Sequence, residues 1–163
     1  MRYIMKQRLF SLADSFTIKD ENGGDVYAVR GKFFSFGKQL SFEDMAGNEL
    51  AYIRQKLISF RPTYEIYRNG NLFATVKQEL FTFLRHKFVV DVPGPDDLEA
   101  AGDFLDREYT FERSGREVAR ISKRWFSFSD TYGVETTDGE DDVLILASSV
   151  VIDMLCHPDQ QGD

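Results

Sequence analysis

Val143-Leu-Ile-Leu-Ala-Ser-Ser-Val-Val-Ile-Asp-Met-Leu155, close to the end of the chain, is apolar except for Ser148, Ser149 and Asp153. Drawn as a helix, this segment carries apolar side chains on every side and leaves no face for water. At about 1.5 Å per residue the helix would be roughly 20 Å long, which is too short to cross a bilayer. We therefore expect a helix that the rest of the protein surrounds.

Four segments before this helix share one template, which begins at a glycine and ends thirteen residues later at a phenylalanine. They are residues 23–36, 47–60, 70–83 and 115–128. Each begins at a turn pair such as Gly47-Asn48, continues with apolar residues at short spacing, and ends in two large apolar residues, Ser or Thr, and Phe. A turn pair between such runs predicts a β-hairpin, and we expect the aromatic ending to start a further strand.

The strands predicted in this way number about twelve, which is many for an open sheet but suits a barrel. We therefore predict a mainly β protein, a closed barrel of repeated hairpins that encloses the hydrophobic C-terminal helix. Residues 1–163 form one domain in this interpretation, with a core from about residue 3 to 156 and a loose tail over 157–163. Pro93-Gly94-Pro95 predicts a turn and not a domain linker.

Charge is distributed unevenly along the chain, whose net charge is −7. Residues 27–90 carry five more Lys and Arg than Asp and Glu, and the remainder carries twelve more Asp and Glu than Lys and Arg. Such asymmetry indicates an anionic partner for the middle of the chain. The alternative is that the basic residues simply occupy solvated strand faces.

The residues with chemical potential do not form a recognisable catalytic or metal site. Cys156 and His157 are adjacent at a helix end, where neighbouring side chains diverge, so they make a poor zinc pair. The acidic run over 138–142 fits the N-terminal end of the helix better than a calcium loop. Ser148 and Ser149 lack a nucleophile elbow and are expected to hydrogen-bond back to the preceding helical turn. No catalytic residue, metal or cofactor is predicted.

Several motifs, in order along the chain, resemble the LURP-one-related family. They are Lys6-Gln-Arg-Leu-Phe-Ser-Leu, Val26-Tyr-Ala-Val-Arg-Gly-Lys-Phe-Phe-Ser, Asp44-Met-Ala-Gly-Asn-Glu, Gly102-Asp-Phe and Ser122-Lys-Arg-Trp-Phe-Ser-Phe-Ser-Asp-Thr-Tyr132, followed by the apolar helix. That family is similar in fold to the tubby C-terminal domain and to phospholipid scramblases. The shared fold is a twelve-stranded barrel around a C-terminal helix. The resemblance implies the same barrel here.

The resemblance also implies a class of ligand, because tubby domains bind phosphoinositide headgroups through basic side chains on the barrel. The nearest equivalents here are the basic residues seven and nine positions after the template glycines: Arg30, Lys32, Arg54, Lys56 and Lys77. Residues two apart in a strand share a face, so the pairs present two cations side by side. Scramblases also carry cysteine-rich lipidation segments, whereas this chain has one cysteine, which argues against scramblase activity.

We therefore expect a non-enzymatic cytosolic binding module, peripheral at a membrane surface, that recognises anionic phospholipid headgroups. The alternative is a protein-interaction or stress-related scaffold without a lipid ligand. The cytosolic expectation rests on the single cysteine and on an N-terminus that does not resemble a signal peptide. The acidic chain argues against a nucleic-acid partner, and the sequence does not predict the oligomeric state.

Overall fold

The computed structural model describes residues 1–6, 15–32, 37–82, 85–125 and 131–157. They form twelve strands and one helix: β1 Arg2–Lys6, β2 Ser15–Asp20, β3 Asp25–Lys32, β4 Gln39–Asp44, β5 Glu49–Gln55, β6 Thr63–Arg68, β7 Asn71–Thr82, β8 Arg85–Asp91, β9 Leu98–Asp103, β10 Glu108–Arg113, β11 Arg116–Ser122, β12 Thr131–Thr136 and α1 Asp142–Cys156.

The strands form a closed antiparallel barrel in which each strand pairs with its neighbours in sequence. The barrel closes where β1 pairs with β12, with Tyr3 opposite Val134. Because consecutive strands run in opposite directions, all odd-numbered strands end at one rim, which we call the loop rim. All even-numbered strands end at the other, the turn rim. The barrel predicted from the sequence is confirmed.

The turn rim contains the predicted glycine turns. The four template glycines all have positive φ angles, between 77° and 87°. At the second template, the Asp44 side chain accepts hydrogen bonds from the backbone N–H groups of Ala46 and Asn48, both at 2.9 Å. An aspartate that bonds its own turn in this way is a common turn former.

The helix α1 fills the barrel and is the centre of the core. Every residue from Leu144 to Met154 is buried, which confirms the helix predicted from the all-round apolar pattern. The helix begins at the turn rim, where Asp141 caps it by accepting a hydrogen bond from the Leu144 N–H at 3.1 Å. It ends at the loop rim, where the His157 N–H donates to the Asp153 carbonyl at 3.0 Å.

The inward faces of the strands carry alternating large side chains that pack on this helix. Phe88, Phe104, Tyr109 and Phe111 form a chain of ring contacts with centroids 4.8 to 5.8 Å apart. Gly102 is required opposite this cluster, because a Cβ there would lie 2.7 Å from the Glu108 carbonyl oxygen and the Tyr109 Cα. This close approach explains the glycine of the Gly102-Asp-Phe motif.

Some local predictions need correction, and others fall outside the described residues. The ending of the second template, Leu57 to Phe60, does not start a strand but lies in the connection between β5 and β6. The apolar residues within 6–19 also predict one or two strands; the structure has one there, β2, whereas β1 lies before this segment and residues 7–14 lie outside the described range. The template ending at 33–36, residues 126–128 of the predicted strand over 125–128, and residues 158–163 of the predicted tail also lie outside it.

Candidate functional site

The five cations proposed for headgroup binding lie on one side of the outer wall. Their strands are β3 for Arg30 and Lys32, β5 for Arg54, with Lys56 directly after it, and β7 for Lys77. The buried side chains between them on these strands, such as Ile53 and Val76, point inward to the helix. The cations therefore point outward, as the alternation of a strand requires.

Strand register brings four of these residues, all but Arg30, into two adjacent rows. In one row Gln39 on β4 lies between Lys32 and Arg54, because it pairs with both. In the other row Thr63 on β6 lies between Lys56 and Lys77. Its carbonyl accepts from the Lys56 N–H at 3.0 Å, and it pairs with Lys77 across the sheet. Neighbouring strands are about 4.8 Å apart, so Lys56 and Lys77 are roughly 10 Å from each other.

Three of the five cations are already paired with a glutamate on the outer wall. The pairs are Arg30 with Glu43 at 3.3 Å, Lys32 with Glu49 at 3.6 Å, and Arg54 with Glu65 at 3.1 Å. These ion pairs are exposed on at least one side and contribute little to stability. They do neutralise the charge locally, so this part of the wall is not a bare cationic patch.

An aromatic pair lies beneath two of these cations. Tyr52 and Tyr67 contact each other with ring centroids 6.4 Å apart. The Lys32 Nζ lies 5.0 Å from the Tyr52 centroid, and the Arg54 Cζ lies 5.0 Å from the Tyr67 centroid. Arg54 also donates to the Tyr67 hydroxyl at 2.7 Å. Burial raises the pKa of both tyrosines, so the two rings stay neutral and form a fixed support for the cations.

Lys56 and Lys77 differ from the other three predicted cations. Both side chains are exposed, and neither forms an ion pair with any residue in the described part of the chain. Arg61, close by in the same connection, has only a long contact of 3.9 Å with Glu79. The uncompensated positive charge of the wall is therefore concentrated next to the loop rim, around the connection between β5 and β6.

This connection, residues 56–62, carries an exposed apolar tip between two cations. It reads Lys56-Leu-Ile-Ser-Phe-Arg-Pro62. Leu57 is 58% exposed, Ile58 91% and Phe60 106%. The other large apolar side chains exposed among the described residues, Met1, Met45, Leu72 and Leu105, do not form such a run. A contiguous exposed apolar surface rimmed by polar groups marks an interaction site.

Hydrogen bonds hold the connection in shape. The Ser59 hydroxyl and the Thr63 hydroxyl both donate to the Arg61 carbonyl, at 2.6 and 2.8 Å. The Pro62 carbonyl accepts from the Gln78 N–H at 3.1 Å. The Leu57 side chain packs over Gly37, where an added Cβ would lie 2.9 Å from its Cδ2 atom. The apolar tip is thus presented by an ordered base.

Sequence reasoning missed this tip, because the template treated Leu57, Ile58 and Phe60 as the start of a strand. One signal could have found it. The tip lies between Lys56 and Arg61 and ends at Pro62, which cannot donate to a sheet ladder. Basic residues on both sides of a short apolar run are unusual for a buried strand.

A second polar cluster lies at the C-terminal end of α1, but it is buried. The Arg107 Nε donates to Asp153 Oδ1 at 2.6 Å, and these side chains are 3% and 5% exposed. Burial raises the pKa of Asp153, and the hydrogen bond from Arg107 opposes the rise. Burial also raises the pKa of the Cys156 thiol, to about 12. His157 is 14% exposed and thus better packed than the frayed end expected from the sequence.

A shallow depression of about 480 Å³ lies on the opposite part of the barrel, over β9, β10 and β11. Ala101, Gly102 and the indole of Trp125 are among the residues that line it. The Arg2 guanidinium lies over this indole, 4.7 Å from its centroid. The depression is on the outer wall, whereas the lumen is filled by α1.

The residues that the structure describes contain neither a metal-binding cluster nor a membrane-spanning helix. Within them, no three His, Cys, Asp or Glu side chains come together in an arrangement that could hold a metal ion. The helix that these residues form is not long and apolar enough to cross a membrane.

Comparisons with known proteins agree with the architecture. The family model described as LURP-one-related matches residues 1–153. The uncharacterised protein YxjI of Bacillus subtilis is 33% identical over 156 residues, which are 96% of this chain and 94% of that protein. A crystal structure of a protein from Arabidopsis thaliana superimposes with a TM-score of 0.69 at 18% identity, covering 94% of this chain and 91% of that one, and so supports the fold. This chain belongs to the LURP-one-related family.

Proposed function

We propose that this barrel is a non-catalytic binding module that docks on anionic phospholipid headgroups at the cytosolic surface of a membrane. The observation that carries the proposal is the position of Lys56 and Lys77. They are the two predicted cations without a carboxylate partner among the described residues, and they lie on either side of Thr63 near the loop rim.

The distribution of charge supports this orientation. The chain as a whole is acidic, with a net charge of −7, so an anionic surface repels most of the molecule. Only a face with locally excess cations can approach, and long-range electrostatics would turn that face toward the membrane. Each Lys or Arg near an anionic leaflet contributes about 1 kcal/mol to binding. The resemblance of the family's fold to tubby domains points to the same ligand class.

The test is co-sedimentation with vesicles of phosphatidylcholine alone and with added phosphatidylserine or phosphoinositide. Charge reversal at Lys56→Glu or Lys77→Glu changes the charge by two, so each should cost about 2 kcal/mol, or about thirtyfold in affinity for anionic vesicles. Arg116→Glu is the matched control, because Arg116 is exposed at the turn rim. Binding should rise with anionic lipid and fall with salt. Equal losses for all three variants would refute the assignment.

The depression beside Trp125 favours a second candidate, docking of a protein partner on β9 to β11. It is concave and combines an indole with exposed arginines, which are enriched at protein interfaces. Absence of binding to every vesicle composition would leave this scaffold role as the better proposal.

A further inference from the structure

The apolar side chains at the tip of residues 56–62 have no place inside the protein. The lumen that could receive them is occupied by α1, whose residues from Leu144 to Met154 are all buried. Phe60 is as exposed as it would be in an extended peptide, at 106%. An exposed phenylalanine and an exposed isoleucine two residues apart carry a free-energy cost in water that burial elsewhere would relieve.

The tip is preformed. Its base is fixed by the hydrogen bonds of Ser59 and Thr63 to the Arg61 carbonyl and by the contact of Leu57 with Gly37. Little conformational entropy is therefore lost when the tip enters a new environment. This loop is ordered although it exposes three large apolar side chains, which fits insertion into an apolar environment outside the protein.

The flanking residues identify this phase as a lipid bilayer. Lys56 and Arg61 bracket the apolar tip, and Lys77 lies in the same row as Lys56, on the other side of Thr63. This is the arrangement of an interfacial anchor, in which apolar side chains reach below the headgroups while cations stay among the phosphates. Ile58 and Phe60 are almost fully exposed and so project from the surface, whereas a protein partner would need a matching pocket for them.

We infer that Leu57, Ile58 and Phe60 insert into the interfacial region of an anionic bilayer and hold the domain with its loop rim toward the membrane. This inference rests on the proposed function and deepens it, because it adds insertion to electrostatic attraction. The loop rim then lies at the headgroups and the glycine turns of the turn rim point away from them.

Quenching by lipids brominated in their acyl chains tests insertion separately from binding. The chain has one tryptophan, Trp125, so the double variant Phe60→Trp/Trp125→Phe reports the position of the tip alone. Met45→Trp/Trp125→Phe is the matched control, since Met45 is also an exposed apolar residue but lies at the turn rim. We expect strong quenching for the tip reporter and none for the control on vesicles containing phosphatidylserine.

Partitioning gives a second measurement. Ile58→Ser and Phe60→Ser should each weaken binding to anionic vesicles about tenfold, because each removes most of an inserted apolar side chain. Met45→Ser should leave binding unchanged. All three side chains are exposed, so we expect the thermal midpoint to stay within a few degrees of that of the parent protein.

The outcomes separate the two proposals. If the tip reporter binds anionic vesicles but is not quenched, and the serine variants bind normally, insertion is refuted and headgroup binding stands. If the parent protein does not bind anionic vesicles at all, the proposed function fails, and the inference fails with it. Equal quenching of the tip and turn-rim reporters would refute the orientation.

Discussion

Replacing Arg107 by methionine should destabilise the barrel far more than the loss of an ordinary ion pair. Arg107 and Asp153 join the connection after β9 to the last turns of α1, with their Nε and Oδ1 atoms 2.6 Å apart and side chains 3% and 5% exposed. Methionine retains much of the aliphatic volume that packs near Tyr132. It leaves Asp153 buried without its cation.

The magnitude follows from this burial. Breaking a buried pair by removing one partner costs about 3–5 kcal/mol, a large part of the 5–15 kcal/mol that holds a typical domain together. With a urea m-value of about 2 kcal/mol/M, the midpoint should fall by about 2 M. The surface pair of Arg2 and Glu135 has the same 2.6 Å separation, but its side chains are 39% and 48% exposed. Arg2→Met should therefore cost less than about 1 kcal/mol.

The pH dependence provides an independent check. Burial already raises the pKa of Asp153, and Arg107 is the main opposing influence. In Arg107→Met the pKa should rise further above its ordinary value of 3.8. Between these values the folded state binds more protons than the unfolded state, so stability falls as pH rises. The loss of unfolding free energy caused by Arg107→Met should thus be smaller at pH 5 than at pH 7.

Urea titrations followed by far-UV circular dichroism at both pH values measure these differences. The double variant Arg107→Met/Asp153→Asn should recover much of the loss, because no unpaired charge remains buried. The reasoning is refuted if Arg107→Met costs no more than Arg2→Met, or if its cost is the same at pH 5 and pH 7.

Two further predictions concern polar groups of the helix. Burial alone would raise the pKa of Asp141, but hydrogen bonds from Arg68, at 2.7 Å to each carboxylate oxygen, hold it below its ordinary value of 3.8. Asp141→Asn keeps a helix cap but loses the charge, so it should lower the free energy of unfolding by about 1–2 kcal/mol at pH 7. Below pH 3.8 the parent protein also loses the contribution of this charge, so the urea midpoints of parent and variant should move closer together. The Ser149 hydroxyl donates to the Ile145 carbonyl at 2.8 Å, whereas the buried Ser148 hydroxyl finds no partner among the described residues. Ser149→Ala should therefore cost about 1 kcal/mol in thermal unfolding and Ser148→Ala should be neutral or stabilising; equal losses would contradict the assignment.

Ser148 and Ser149 show how far the sequence predicts hydrogen bonds inside the helix. The sequence predicted that both hydroxyls bond back to the preceding turn, and Ser149 does. The prediction was wrong for Ser148, whose hydroxyl has no such bond. A helix sequence shows which acceptors are within reach. The side chains packed around each serine decide which acceptor its hydroxyl uses, and they come from strands far away in the chain.

For the candidate site, too, the sequence predicted some features and missed others. The sequence placed Arg30, Lys32, Arg54, Lys56 and Lys77 on outward strand positions, because side chains alternate along a strand. It could not show that three of them face a glutamate, since those partners are set by register between strands. Nor did it show that the tip formed by Leu57, Ile58 and Phe60 is exposed, because a short apolar run looks the same on a buried strand.

By itself, the sequence determined the central helix, the glycine turns and the number of hairpins. These features depend on local periodicity and on backbone conformations that particular residues favour. Tertiary structure alone decided where Arg107 meets Asp153, 46 residues further along the chain. It also decided which of the predicted surface cations have a carboxylate partner among the described residues. The helix fills the lumen, so the tip at Phe60 faces outward. Such facts depend on the closure of the barrel around α1, a constraint that no local stretch of residues contains.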